Sequence, residues 1–293
     1  MKLTPDSKVV IQGWCEPIVA THAARMKAYG TNVIAAICPG ESDQKLDDLP
    51  IFDMVEQVVA QFGAIDTTII LVPAYQALDA ALEAIAAGIR QIAIISSGVP
   101  PLDMVHLLRI AEATETLVVG PNSPGIIIPG KILLGTHASE FYTPGSVGIV
   151  SRSSTLTYEI ALELTQSGSG QSMSVSIGSD AITGSSFLPW LQILDEDENT
   201  QAIVLIGEPG GNSEEAAARY IAETIDKPVI AYIAGRNAPP GKHWGHTGTL
   251  AAVVGRGVNI GTTQSKIDAF KQAKVAIAQR PSQIPELVKK AIK

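Results

Sequence analysis

Short apolar runs rich in β-branched residues alternate with amphipathic stretches along the whole chain, and this alternation limits the fold more than any other feature. Runs at 8–12, 32–37, 67–72, 91–95 and 116–119 show no period-two pattern. A strand without alternation has both faces buried, and a sheet covered on both faces by helices is characteristically parallel. Between the runs, 21–29, 54–62, 75–87 and 102–112 place apolar residues at helical spacing. After a stretch with four Pro and five Gly between Gly120 and Gly145, the alternation restarts. Strands are expected at 146–150, 173–177, 202–206, 228–233 and 275–277, and helices at 155–165, 186–194, 213–223, 265–272 and 284–292. The fold class is therefore α/β, with two open, doubly wound domains at 1–122 and 146–293 joined by an ordered crossover at 123–145. A length of 293 residues suits two such cores.

Composition narrows the function classes. With 21 basic and 29 acidic residues, the net charge is −8, and no basic run occurs. A phosphate backbone needs clustered Lys and Arg, so nucleic acid is not an expected partner. Only 17% of residues are charged, below the usual quarter, so part of the apolar surface is expected to be covered by another chain. Cys15 and Cys38 are too few for a disulfide framework and read as small buried hydrophobes in a reducing compartment. Residues 1–7 carry no apolar targeting segment, and no run is long enough to span a bilayer. The expected location is cytoplasmic, with no membrane partner.

Ligands of open α/β sheets bind beyond the carboxyl ends of the strands, near helix N-termini, so the residues after each run carry the information. Gly13-Trp14-Cys15-Glu16-Pro17 follows the first strand but does not match G-x-G-x-x-G, which counts against an NAD-dependent dehydrogenase. No G-x-x-x-x-G-K-[ST] sequence occurs, so any nucleoside triphosphate must be bound by another chain. Ser151-Arg152-Ser153-Ser154-Thr155 opens a helix in the second domain, where hydroxyls either cap free N–H groups or help hold a phosphate. Glu208 stands at a strand end among Gly207, Gly210 and Gly211, either solvated or positioned. In the long loop 235–261, His243 and His246 lack a Cys or carboxylate at ligand spacing, so no metal site is expected. Gly245 and Gly248 around His246 suit a histidine that must reach more than one place.

Taken together, these residues resemble the α-subunit family of succinyl-CoA synthetase (succinate–CoA ligase). The resemblance runs the full length and rests on Gly120-Pro121-Asn122-Ser123-Pro124-Gly125, Gly148-Ile149-Val150-Ser151-Arg152-Ser153, Thr155-Leu156-Thr157-Tyr158-Glu159, Gly207-Glu208 with Gly210-Gly211, Tyr232-Ile233-Ala234-Gly235, and Gly245-His246 with Gly248. It implies a Rossmann-like CoA-binding domain followed by a flavodoxin-like ligase domain. It also implies His246 as a transient phosphohistidine, Glu208 as the carboxylate that orients it, and Ser153, Ser154 and Thr155 as the phosphate-holding helix start. Tyr158 and Asn122 fall at substrate-binding positions, and Gly13, Trp14, Lys45, Ser96 and Ser97 at CoA-binding ones. The implied cofactors are CoA, and ATP or GTP with Mg on an ATP-grasp β subunit; the implied reaction belongs to the tricarboxylic acid cycle. A neutral imidazole can attack a phosphoryl group while a carboxylate fixes its tautomer and a helix N-terminus balances the resulting charge.

The departures gather in the first domain. Where the family spaces three glycines, this chain has Gly13, Glu16 and Val19, and where it has Pro-Gly-Lys-Gly-Gly this chain has Pro39-Gly40-Glu41-Ser42-Asp43. Ser97 replaces a usual Glu. A carboxylate roughly 6 Å from a phosphate at an effective dielectric near 20 costs on the order of 2–3 kcal/mol, with Lys45 as the candidate compensating cation. Two readings follow: a succinate–CoA ligase α subunit working with a β subunit, or a related subunit with weakened or lost CoA binding that serves as a regulatory or assembly partner.

Overall fold

The computed structural model describes residues 3–13, 17–41, 45–46, 49–236, 254–255, 258–259 and 261–292. The chain forms two compact units, one of Met1–His137 with Ile182–Ser185, the other of Ala138–Ala181 with Ser186–Lys293.

The first unit contains β1 (Val9–Gln12), α1 (Pro17–Tyr29), β2 (Val33–Ile37), β3 (Lys45–Leu46), β4 (Leu49–Phe52), α2 (Val55–Phe62), β5 (Thr67–Ile70), α3 (Ala77–Ala86), β6 (Gln91–Ile94), α4 (Pro101–Ala113), β7 (Leu117–Val119), β8 (Gly125–Ile128) and β9 (Ile132–Gly135). Its sheet runs β3-β4-β2-β1-β5-β6-β7, parallel except for the β3–β4 pair. From β4 to β7 this is the Rossmann order, in which the chain reverses direction across the sheet between β1 and β5 and leaves a crevice at their carboxyl ends. β1 is buried along its whole length, as a strand covered on both faces must be. Val10, Ile37, Ile70 and Ile94 share one core with Val55 and Val58 of α2, Ala81 and Ala84 of α3, and Met104 and Leu107 of α4.

Three hairpins were not expected: β3–β4, β8–β9 and, within the stretch read as a long loop, β14–β15 (Val254–Gly255 with Val258–Asn259). β4 buries alternate residues and carries Pro50, a pattern too short and interrupted to read as a strand. The β8–β9 hairpin lies inside the expected crossover, with Gly125 opposite Gly135 and Ile128 opposite Ile132. There the Pro and Gly residues mark a turn between two three-residue apolar runs rather than a loop. Cys38 requires a correction, since it is buried as expected but is disulfide-bonded. It follows β2, which pairs in parallel with β1 (Gln12 opposite Ile37), so Gly13 and Cys38 lie at the same end of the sheet. Cys15, the chain's other cysteine, lies outside the described residues.

The second unit contains β10 (Pro144–Ser151), α5 (Ser154–Gln166), β11 (Gln171–Ser176), α6 (Phe187–Glu196), β12 (Ala202–Gly207), α7 (Ser213–Thr224), β13 (Val229–Ile233), β14 (Val254–Gly255), β15 (Val258–Asn259), α8 (Thr263–Gln272), β16 (Ala276–Ile277) and α9 (Ile284–Ala291). Five of its strands run β16-β13-β12-β10-β11, each pair parallel, which is the flavodoxin-like order, while β14 pairs antiparallel with β15. Among the described residues of this unit, Trp190 and Phe187 of α6 and Phe270 of α8 are the largest fully buried apolar side chains. The reversal of strand order falls between β10 and β12, so Ser151 and Gly207 end at the crevice. Among the described residues, no helix is long and apolar enough to cross a membrane.

Candidate functional site

β12 is buried from end to end, and the chain leaves it at Gly207, where an added Cβ would stand 2.7 Å from Glu214 Cγ. The next residue, Glu208, is only 8% exposed. The Ser153 hydroxyl donates to its carboxyl group. The other oxygen, Oε2, is buried and has no hydrogen-bond partner among the described residues. Burial pushes the Glu208 carboxyl up from its ordinary range; the Ser153 hydrogen bond and the Arg152 and Lys266 charges oppose the shift, and Glu214 adds to it. A buried carboxylate oxygen without a donor is costly.

Ser153 occupies the N-cap of α5 in an extended conformation, yet its side chain does not cap the helix. Its backbone is fixed instead by Ser151, whose hydroxyl accepts from the Ser153 N–H at 2.9 Å and donates to the Ser153 carbonyl at 2.9 Å. The Ser153 hydroxyl is thereby left for Glu208, and the positive end of a 13-residue helix is left without a side-chain cap. Ser154 is half-buried there and Thr155 is exposed. One helical turn on, Tyr158 packs against Phe141 with ring centroids 6.3 Å apart.

In the first unit, a cavity of about 680 Å³ opens at the carboxyl ends of β1, β2 and β5. Gln12, Gly13 and Gln76 give it neutral polar groups, Ile37, Pro39, Val72, Pro73 and Ala80 an apolar wall, and Asp79 and Glu83 carboxylates. Gly13 has φ +108°, and an added Cβ would meet the Leu71 carbonyl carbon at 2.7 Å, so no other residue fits there. Glu83 is committed structurally, accepting from the Val55 N–H at 2.7 Å and from Gln12 Nε2 at 3.5 Å. Ser96 donates its hydroxyl to the Val72 carbonyl, and Ser97 is exposed. Asn122 takes a left-handed conformation (φ 55°) and donates its N–H to the Ser96 carbonyl at 2.8 Å. Lys45 is described only as part of β3, and Trp14 and His246 lie outside the described residues. Among the described residues, no group of His, Cys, Asp or Glu could hold a metal ion.

Residues 4–98 match the CoA binding domain family model and residues 150–283 the CoA-ligase model. Over 283 residues the chain is 44% identical to succinate–CoA ligase [ADP-forming] subunit alpha 2 of Archaeoglobus fulgidus, covering 96% of each chain. It is 41% identical over 290 residues to the corresponding alpha subunit of Aquifex aeolicus, covering 98% of this chain and 93% of that one. The chain belongs to the succinate–CoA ligase α-subunit family.

The fold of this α-subunit family member recurs in larger proteins. Methanosaeta concilii ATP citrate lyase, solved with (3S)-citryl-CoA, superposes with a TM-score of 0.88 at 23% identity over all of this chain, which spans half of that one. A Ca. Korarchaeum cryptofilum acetyl-coenzyme A synthetase, solved with phosphate and ADP, gives 0.76 at 22% identity over 98% of this chain and 59% of that one. Three residues beside the family's Glu208 position escaped the sequence reading: Arg152, Glu214 and Lys266, which are 5%, 0% and 0% exposed. Glu214 Oε1 accepts the Glu208 N–H at 3.1 Å. Only the Ser-Arg-Ser-Ser sequence hinted at any of them, because a Glu in a first helical turn and a Lys in an amphipathic helix ordinarily face water.

Proposed function

We propose that the chain is the α subunit of a nucleotide-dependent succinate–CoA ligase, converting NTP, succinate and CoA into succinyl-CoA, NDP and phosphate through phosphorylated His246, with the nucleotide and Mg held by an ATP-grasp β subunit. The observation that carries this reading is the buried Glu208 Oε2, without a hydrogen-bond partner among the described residues, joined through Ser153 to the uncapped start of α5. A ring N–H of His246 donated to that oxygen fixes the tautomer, leaving the other ring nitrogen with a lone pair for the phosphoryl group. Ser153, Ser154 and Thr155 then face the phosphate with the helix N–H groups, whose partial positive charge offsets the new anion. Tyr158 and Asn122 are assigned to the carboxylic acid substrate. CoA, when bound, supplies the thiol that takes the succinyl group. The cavity beside Gly13 has the apolar wall and neutral amides that suit a nucleotide-sized moiety, with Trp14, Lys45, Ser96 and Ser97 as the remaining candidate contacts.

Incubation with a β subunit and γ-labelled NTP tests the reading. The expected result is an acid-labile, base-stable phosphate that disappears in His246→Ala and persists in His243→Ala. Label on His243, or no label with a competent partner, overturns it. The carboxylates Asp79 and Glu83 in the cavity wall favour a second reading, a regulatory or assembly subunit that binds CoA weakly or not at all. Calorimetry separates the two: micromolar CoA binding supports the ligase, and no binding at millimolar CoA supports the second reading.

A further inference from the structure

Three charged side chains converge from three elements beneath the Glu208 loop: Arg152 just past β10, Glu214 in the first turn of α7 and Lys266 in α8. Lys266 Nζ donates to Glu214 Oε2 and, at 2.8 Å, to the Gly210 carbonyl. Arg152 Nη1 donates to the same carbonyl at 3.2 Å and lies 3.5 Å from Glu214 Oε1. That oxygen also accepts the Glu208 N–H. Gly210 donates its own N–H to the Gly261 carbonyl at 2.8 Å. The backbone around Glu208 is thus held at three atoms, two of them directly by the charged cluster.

Buried ion pairs are poor stabilising devices, because each charge loses its hydration and the pair rarely recovers the whole loss. Here Arg152, Glu214 and Lys266 are all buried, and their hydrogen bonds to backbone go to Glu208 and Gly210. We propose that Arg152, Glu214 and Lys266 are positioning residues for Glu208, which fix the loop that carries its carboxylate and set the electric field at its free oxygen. Among the described residues, the groups facing Glu208 are Ser153 and Arg152 from the β10–α5 corner, Glu214 from α7 and Lys266 from α8; Lys266 also has Glu215 at 3.8 Å. Burial, with Glu214, favours the protonated form of Glu208, whereas Ser153, Arg152 and Lys266 favour the charged one.

The test is a carboxyl-carbon NMR titration of the full chain labelled with ¹³C-glutamate, with the Glu208 signal assigned by its loss in Glu208→Gln. Lys266→Met removes a cation and leaves Glu214 paired with Arg152, so the Glu208 midpoint is expected to rise. Glu214→Gln removes an anion and leaves Lys266 beside Glu215, so the midpoint is expected to fall. Opposite displacements support the proposal; displacements of the same sign, or none, in folded variants overturn it. If one variant fails to fold, the sign in the other decides, and if both fail the cluster is a structural one and the proposal is wrong. A second arm rests on the phosphohistidine reading: with a β subunit, both variants are expected to slow labelling about 10-fold or more at unchanged KM for NTP. A wild-type complex that takes no phosphate removes that reading alone and leaves the titration to decide the positioning.

Discussion

His137 has no exposed surface, and its Nε2 lies 3.0 Å from the Gly125 carbonyl. Burial pushes the ring down from 6.5 to about 4, against the opposing effect of that backbone hydrogen bond, so the folded ring is neutral and Nε2–H donates. Between those two values the unfolded chain binds a proton that the folded chain refuses, so stability is present at neutral pH and lost as pH falls, by about 3 kcal/mol in full. His137→Gln keeps a donor without a titrating ring, and urea unfolding at pH 7.5 and 5 is expected to show a flatter acid loss than wild type. An unchanged loss would place the acid sensitivity in other groups. Glu208 behaves with the opposite sign. Its carboxyl is pushed up by burial, so its contribution is present at low pH and lost as pH rises through the raised value. Glu208→Gln is therefore expected to raise stability at pH 7.5 and to leave it unchanged at pH 3. The same variant is expected to slow histidine phosphorylation between about 10-fold and 10⁴-fold without abolishing it, because an orienting carboxylate does not supply the nucleophile. A variant that lowers stability at pH 7.5 would show that the free oxygen is satisfied in the folded chain.

The β8–β9 hairpin is bound to its unit through Thr31, with Tyr29 Oη accepting the Gly130 N–H at 3.0 Å and Met26 Sδ the Gly135 N–H at 3.3 Å. Thr31, in the turn between α1 and β2, donates its Oγ1 hydrogen to the Leu133 carbonyl at 2.7 Å and accepts the Leu133 N–H at 3.0 Å, as a neighbouring strand would. Thr31→Val keeps the shape but leaves two buried backbone groups unpaired, an expected loss of about 2–4 kcal/mol. Thr31→Ser, which keeps the hydroxyl, is expected to recover most of it, and equal losses in the two variants would assign the effect to the methyl group. At this scale the sequence was legible wherever one local property decided the element. β1, β2, β5, β6 and β7 each lie inside an apolar run, and β10 through β13 lie in or across one with ends moved by two residues at most. β4 and the β8–β9 hairpin were not legible, because an interrupted edge pattern and a Pro-Gly turn look like loop until a neighbouring strand or a residue such as Thr31 completes their hydrogen bonds. Glu208 and Ser153 were legible for the same reason as the strands, since each lies within two residues of a strand end. Their contact was not, because Ser153 and Glu208 belong to different loops and only the β12-β10 adjacency brings those loops together.

For the whole molecule, the proposed reaction divides its chemistry between what the chain carries and what a partner supplies. Burial of Lys266, Glu214 and Arg152 could not be read from sequence, since it depends on three elements that are remote along the chain and meet only when the second sheet is complete. The missing phosphate donor, by contrast, is a property of the sequence itself, which has no P-loop, and a net charge of −8 gives no general attraction for a polyphosphate. The 17% charged fraction points the same way, toward surface covered by a second chain. Light scattering of the chain co-expressed with an ATP-grasp β subunit is accordingly expected to give a hetero-oligomer, and the isolated chain is expected to take no phosphate from NTP. Adding the β subunit is expected to restore labelling in wild type but not in His246→Ala. Phosphorylation of the isolated chain by NTP would mean that the nucleotide site lies within these 293 residues and would remove the divided-site reading. A β subunit that binds but yields no label would leave an assembly partner, and would move the weight of the argument to the carboxylate-lined cavity.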